Sequence, residues 1–364
     1  MADTVLLTGA TGHLGTALVP RLLAHPDCEV VALVRARDDA HLAERAAALR
    51  ALAPDAADRV RVVRGDVTAP GLGLSAADRD RLENELTATV HAAASVRFDM
   101  PRDKAATENL ASTEAMLALA RTLAERGRLR RYDHVSTAYV AGDRTGRVYE
   151  HEADEGQGFR NSYEWSKCQA ETRVRAAIAD GLPAAVHRPS IIVGDSRTGE
   201  TSSFNVLYWP LMLYARGWWS LFPGRADTRV DIVPVDFVAD AIATLRRAPA
   251  TVGGCFHLAA GDDAPRVDVL AARFAELLER PPLRTIDPDF YLTWVRPVLR
   301  VPLSLTRRGR RILRGGSAYL PYFRSNPLFD TTNLRRHLGR EAPPVLAYVD
   351  RIAAYAKAKD FGGR

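Results

Sequence analysis

The stretch Thr8-Gly9-Ala10-Thr11-Gly12-His13-Leu14-Gly15, directly after the apolar run Val5-Leu6-Leu7, constrains this chain more than any other. A short strand, a glycine turn and a helix start, in that order, make a cradle for a pyrophosphate. Gly9 permits the tight turn off the strand, and Gly12 lets backbone N–H groups approach phosphate oxygens. Gly15 lets the next helix pack closely on the sheet. That helix turns its positive end toward the anion. The spacing, Gly-x-x-Gly-x-x-Gly, is a variant of the familiar dinucleotide fingerprint. A glycine turn that only turns would look the same, so the rest of the chain has to decide.

The next 130 or so residues alternate as a parallel α/β sheet requires. Strands are expected at Val5–Leu7, Val30–Val34, Val60–Val63, Thr87–His91 and Tyr132–Ser136. Helices are expected at Leu14–Ala24, Ala40–Ala53, Asp78–Leu86 and Thr107–Glu125. The second strand, Val30–Val34, is nearly all apolar, the pattern of a buried parallel sheet. The expected fold is a doubly wound parallel α/β Rossmann sheet. After about residue 195 the alternation fails, and Phe204, Tyr208, Trp209, Tyr214, Trp218, Trp219 and Phe222 gather. Asp231–Val235 reads as a strand returning to the core and Val235–Leu245 as a helix behind it. The expected division is a dinucleotide-binding domain over 1–200, rejoined by 229–262. A smaller, mostly helical C-terminal substrate lobe takes 201–228 and 263–364.

Charge and cysteine usage bound the partners. The net charge is +6 and the pI about 9.4, but Lys104, Lys167, Lys357 and Lys359 are the only lysines. The excess is arginine, without a basic stripe interleaved with aromatics over the first 280 residues, so no nucleic acid is expected as a partner. Cys28, Cys168 and Cys255 are odd in number and far apart, which argues against a disulfide framework or a metal site. A glycine loop beginning by residue 8 leaves no room for a signal peptide, so the expected compartment is cytoplasmic. Pro210, Arg216 and Gly217 interrupt the apolar stretch from Phe204 to Phe222. No transmembrane segment is expected there, while peripheral membrane contact stays open.

The second strand ends Val34-Arg35-Ala36-Arg37, with no carboxylate at the position that usually bonds the ribose hydroxyls of NAD. A guanidinium there pairs with a 2′-phosphate, so Arg35, and less directly Arg37, point to NADP(H). Asp38 and Asp39 keep NAD as the alternative. Asp66 and Val67, after the third strand, offer a carboxylate and an amide to the adenine, or simply a turn.

Tyr163 and Lys167 stand four residues apart on one helix face, with Asn161 and Ser162 as candidate caps. A lysine one turn behind a tyrosine is expected to lower the phenol pKa and make it a proton donor near neutrality. Ser136-Thr137, at a strand end, supplies a hydroxyl to orient a carbonyl. Tyr355 and Lys359 repeat the spacing without such a context and read as helix surface.

These motifs together resemble the extended short-chain dehydrogenase/reductases, over most of residues 3 to 260. Within them the chain is most similar to the thioester reductase and fatty acyl-CoA reductase branch. The segments His91-Ala92-Ala93-Ala94-Ser95-Val96-Arg97-Phe98, His134 to Gly142, Arg188 to Gly199 and Val233 to Ala239 carry that likeness. The resemblance implies a catalytic set of Thr137, Tyr163 and Lys167, with Lys167 also on the nicotinamide ribose. Pro189, Ser190 and Ile191 would line the nicotinamide. Ala92, Ala93 and Ala94 would border the cofactor with Thr8, Gly9, Thr11, Gly12, His13, Leu14 and Gly15, His13 lying near the pyrophosphate. Asn109 matches the branch's usual asparagine.

The resemblance also implies NADPH-dependent reduction of an acyl thioester to an aldehyde, or onward to an alcohol. The thioester would arrive as a CoA ester or on an acyl carrier protein in trans. An NADP-dependent ketoreductase or hydroxyl dehydrogenase acting on a polyketide, sterol or sugar-like ketone is the alternative. The aromatic stretch would hold an apolar chain or simply form lobe core. The arginines between Arg296 and Arg314 would meet an acidic carrier or solvent.

Overall fold

The computed structural model describes residues 3–204, 206–219, 221–306, 309, 310, 313, 322 and 324–363. Its centre is a seven-stranded, all-parallel sheet. The first half runs β1 (Asp3–Thr8), α1 (His13–Leu23), β2 (Cys28–Val34), α2 (Asp39–Arg50), β3 (Val60–Arg64), α3 (Ala76–Glu85) and β4 (Ala88–His91). Then come α4 (Arg102–Ala105), α5 (Ser112–Glu125), β5 (Arg131–Val135), the short β6 (Gly146–Val148), α6 (Ser162–Ala179) and β7 (Ala184–Pro189). A last strand, β11 (Cys255–Leu258), closes the far edge, giving the order β11-β7-β5-β4-β1-β2-β3. The order reverses between β1 and β4, and in such sheets that switch point is where a crevice opens.

Alternation along the strands builds two cores. Val5, Leu7, Val30, Ala32 and Val34 pack on one face with Leu18 and Leu22 of α1. Leu6, Val31 and Leu33 pack on the other with Met116, Ala120 and Leu123 of α5. Each fully buried Val or Leu contributes about 1.5–3 kcal/mol, several times any helix-propensity difference. That is why α2 docks although only Ala46 and Leu49 of its residues are buried.

Three smaller parallel pairs lie outside the main sheet. β8 (Ile191–Val193) pairs with β10 (Ile232–Pro234), β9 (Leu221–Pro223) with β12 (Arg284–Ile286), and β6 with β13 (Pro327–Phe329). The strand expected to return to the core at Asp231–Val235 pairs with β8, with Val233 buried in the first core. Cys255–Leu258, whose Cys and His disguised its strand pattern, takes the sheet edge. The expected helix over Val235–Leu245 is present with those bounds as α8, packed on α1. The long helix expected from Thr107 starts earlier, at α4, and passes through a wide turn at Ala106–Ala111 before α5. Asn109 lies in that turn, its side chain bonded to Ser95 N (2.8 Å), Ser95 O (3.2 Å) and Ser166 Oγ (2.9 Å).

The aromatic stretch supplies α7 (Tyr208–Ala215), which packs with α9 (Val267–Leu278) and Val349–Ala358 into a third core. Among the described residues no helix is long and apolar enough to cross a membrane. Arg307, Arg308, Arg311 and Arg314 of the arginine-rich segment lie outside the described residues. Arg296 and Arg300 fall in the helix Arg296–Ser304.

Candidate active site

The glycine loop lies at the switch point. Gly9 has φ +73°, and a Cβ there would sit 2.8 Å from the Ala92–Ala93 peptide after β4. A Cβ on Gly15 would come within 2.0 Å of Gly9 O, so the close helix approach is real. Gly12 is the N-cap of α1 without a side-chain cap, and Gly12 N bonds Gly9 O at 2.9 Å. Exposed N–H groups at that helix start suit an anion, so the backbone of Gly9 to Gly15, with Leu14 on the first turn, fits a pyrophosphate. Two side chains of the loop point elsewhere. Thr8 is buried, with Oγ1 on His91 Nδ1 (2.8 Å) and on Ala93 N (3.2 Å), tying the β1 and β4 ends together. The His13 ring reaches Val193 O (3.1 Å) and Ser202 Oγ (3.2 Å), which makes it a strap between loop and lobe.

At the adenosine end Arg35 is exposed and has no partner among the described residues. Arg37 pairs with Asp38 at 3.2 Å. The carboxylates that kept NAD open are occupied: Asp38 caps α2 through His41 N (2.7 Å) and Asp39 pairs with Arg64 (2.6 Å). An additional arginine, not anticipated, enters here, as Arg45 reaches Thr11 Oγ1 at 3.3 Å. Asp66 spends Oδ1 on Thr68 N (2.9 Å) and Thr68 Oγ1 (2.7 Å), closing its own turn beside Val67.

Thr137, Tyr163 and Lys167 converge at the carboxyl end of β5. Asn161 caps α6 by accepting from Glu164 N (2.9 Å), whereas Ser162, the other candidate, donates to Met100 O instead. The phenol of Tyr163 is hydrogen-bonded to Thr137. Thr137 Oγ1 also lies 3.4 Å from Pro189 O and accepts from Tyr139 N at 3.2 Å. Lys167 is buried and donates to Val135 O at 2.7 Å. One expectation is corrected here. Burial pushes the Tyr163 phenol up to about 12, only partly countered by the Thr137 bond, and Lys167 does not pull it down. Burial lowers Lys167 itself to about 8, against the opposing pull of Glu171.

Beneath the site lies an ion pair that motif reading missed. Glu171 and Arg188 are both about 1% exposed and 2.6 Å apart, and Glu171 also accepts from Ser136 Oγ (2.7 Å) and Arg175 Nε (2.7 Å). Arg188 is fixed further by His257 Nε2 (3.1 Å) and Glu152 O (2.6 Å). Ser136 is thus committed to this pair, and Thr137 is the strand-end hydroxyl left facing the site.

An aromatic wall also escaped the sequence. Phe98 lies 5.7 Å from the Tyr163 ring and 5.4 Å from Tyr322, which meets Tyr139 edge-on at 5.3 Å. Tyr322 is nearly 160 residues from Tyr163, and no local pattern could have paired them. The wall opens on a largely apolar pocket lined by Tyr139, Ile191, Leu207, Pro210, Val230 and Phe329, with Asp231 at its side. Leu207, Pro210 and Val230 also line a second apolar pocket with Trp219, Phe222, Leu270 and Phe274. Asp231 is buried, accepts from Ala260 N and Gly261 N at 2.8 Å each, and is raised by burial to about 6. The strand-like pattern around it gave no sign of that role. Ser190, at the turn after β7, is buried beside it. Among the described residues no group of three or more His, Cys, Asp or Glu is placed to hold a metal.

Known proteins place this geometry. The model of the family described as "Male sterility protein" matches residues 7–242, more than half of the chain. The nonribosomal peptide synthetase asaC of Aspergillus flavus is 31% identical over 270 residues, 70% of this chain and 26% of that protein. The fatty acyl-CoA reductase wat of Drosophila melanogaster is 26% identical over 276 residues, 65% of this chain and 53% of that protein. The chain thus spans a quarter to a half of these relatives. The solved terminal R domain of the myxalamid PKS-NRPS biosynthetic pathway superposes with a TM-score of 0.85 at 28% identity, covering 99% of this chain and 92% of that one.

Proposed function

The chain belongs to the male sterility protein family, within the extended short-chain dehydrogenase/reductases, and from that premise we propose that it reduces an acyl thioester with NADPH. The observation that carries this reading is the apolar cleft. Its first pocket is bounded by Tyr139 and Tyr322, which stacks on Phe98 next to Tyr163, and it shares Leu207, Pro210 and Val230 with the second pocket. Such a cleft suits an acyl chain and offers a sugar or a nucleotide few polar partners. The thioester comes on CoA or on a separate acyl carrier protein, as the R-domain likeness suggests. Three buried free cysteines suit a reducing cytoplasm.

The glycine loop and Arg35 would hold NADPH, whose chemistry is hydride donation. Thr137 and Tyr163 hold the thioester oxygen, and Tyr163 gives its proton to the oxyanion as the hydride adds to carbon. With its pKa near 12 the phenol is fully protonated at neutral pH, as a donor must be. Collapse of the resulting hemithioacetal breaks the C–S bond and returns the hydroxyl proton to Tyr163. Aldehyde and thiolate leave, and the thiolate is protonated by solvent. Lys167, cationic below about 8 and donating to Val135 O, would hold the nicotinamide ribose rather than the phenolate.

NADPH oxidation against a panel of acyl-CoA and carrier-bound thioesters, with ketones alongside, tests the reading. Turnover of thioesters with aldehyde formation is expected, and turnover of ketones alone overturns it. Two further results are expected in the same assay. Loss of the Lys167 proton should make kcat/KM fall tenfold per pH unit above about 8, and a pH profile of Lys167→Arg should lack that limb below pH 10 (roughly, since guanidinium stays charged). Arg35→Ala should raise the Kd for NADPH about tenfold to a hundredfold, the loss of one or two charge-assisted bonds. Its Kd for NADH, by isothermal titration, should barely change.

A further inference from the structure

We propose a second anion site at the opposite end of the sheet from the cofactor crevice, where Arg131 and Arg247 take a phosphate group. The pocket is open and polar, lined by Asp3, His25, Arg130, Arg131, Arg246 and Arg247, with Asp27 at its edge. Asp3 and Arg131 open β1 and β5, Asp27 precedes β2, and Arg246 and Arg247 follow α8. Asp3, Asp27 and Arg131 mark the amino ends of strands and Arg246 and Arg247 the end of a helix, whereas the glycine loop sits at the carboxyl ends of the strands.

Four guanidiniums and two carboxylates line this pocket, with Asp133 beneath them. Arg246 is committed, with Nη1 on Asp3 at 2.8 Å and Nε 3.7 Å from Asp133. Arg131 differs. Its side chain is 4% exposed and its Nε is spent on Asp133 at 2.9 Å, but both terminal nitrogens are buried without an acceptor. A buried guanidinium with two idle, parallel donors is one half of a bidentate pair, and its complement is an oxyanion. Arg247, exposed at the rim with Nη2 2.8 Å from His25 Nε2, adds a second guanidinium that can turn onto the same ligand. A cationic ligand would leave the Arg131 donors idle and a neutral acceptor would meet them singly, whereas a phosphate offers the guanidinium two charged oxygens. The site is independent of the reductase reading.

The test is isothermal titration of the protein saturated with NADP+, so that the cofactor's own phosphate sites are filled, at ionic strength held constant with chloride. Inorganic phosphate, pyrophosphate and glycerol phosphate are titrated separately, which separates a free anion from a phosphorylated metabolite. Saturable binding of at least one is expected, weakened about tenfold or more by Arg131→Met and by Arg247→Ala. NADPH affinity should be unchanged in Arg247→Ala. Arg247→Ala alters an exposed side chain and decides the matter should Arg131→Met fail to fold. Absence of saturable binding for all three anions, or binding indifferent to Arg247→Ala, overturns the proposal.

Discussion

Tyr163→Phe is expected to lower kcat for NADPH oxidation about a hundred- to ten-thousand-fold, the span of lost general-acid catalysis. The Kd for NADPH should stay within about threefold, because the phenol hydroxyl is not needed to cradle the phosphates. The aromatic ring remains, so its contact with Phe98 and the wall to Tyr322 persist. Only the hydrogen bond to Thr137 and the proton are removed. Stopped-flow hydride transfer with a saturating thioester checks this, with cofactor binding measured by fluorescence on the same variant. A fall in kcat without loss of binding puts the proton at Tyr163. Unchanged kcat would move it to another donor.

The second large effect is on stability. Arg188→Met strands the Glu171 carboxylate in the interior, with Ser136 and the partly exposed Arg175 as its remaining partners. Breaking a buried pair from one side costs about 3–5 kcal/mol, whereas replacing both members with apolar groups is often nearly neutral. Arg188→Met should therefore lower Tm by on the order of 10 °C, and Glu171→Leu with Arg188→Met should recover most of it. The pH sign follows from Glu171, which Arg188 and its other partners hold down to about 2 against burial. A carboxyl lowered on folding stabilises above its unfolded pKa, and that contribution is lost as pH falls from about 4.5 to about 2. Wild type should lose this increment over that window, and the double variant should not. Thermal melts across pH measure both.

Elements that follow from local pattern were legible in the chain. β1 and β2 carry continuous apolar runs and the first glycine turn is marked by residue type, so these strands and the turn between β1 and α1 could be read from local pattern. The pairing of Thr137 with Tyr163 was expected from the family resemblance, and the two are hydrogen-bonded. What escaped depends on distant segments. Cys255–Leu258 carries a cysteine and a histidine, His257 accepting from Arg188, so the edge strand lacks a strand's usual pattern. Tyr322 and Asp231 reach the site only through the lobe's packing. The phenol pKa was misjudged because spacing shows Lys167 on the same helix face but not that its ammonium is tied to Val135 O, nor how deeply the ring is buried.

Thioester reduction itself is tested most directly by single turnover with NADPH carrying deuterium at C4 and a long-chain acyl-CoA. The expected products are an aldehyde with one deuterium at C1 and one free thiol for each NADPH consumed. Intact thioester, with deuterium found instead at a carbinol carbon formed from a ketone elsewhere in the substrate, would contradict it.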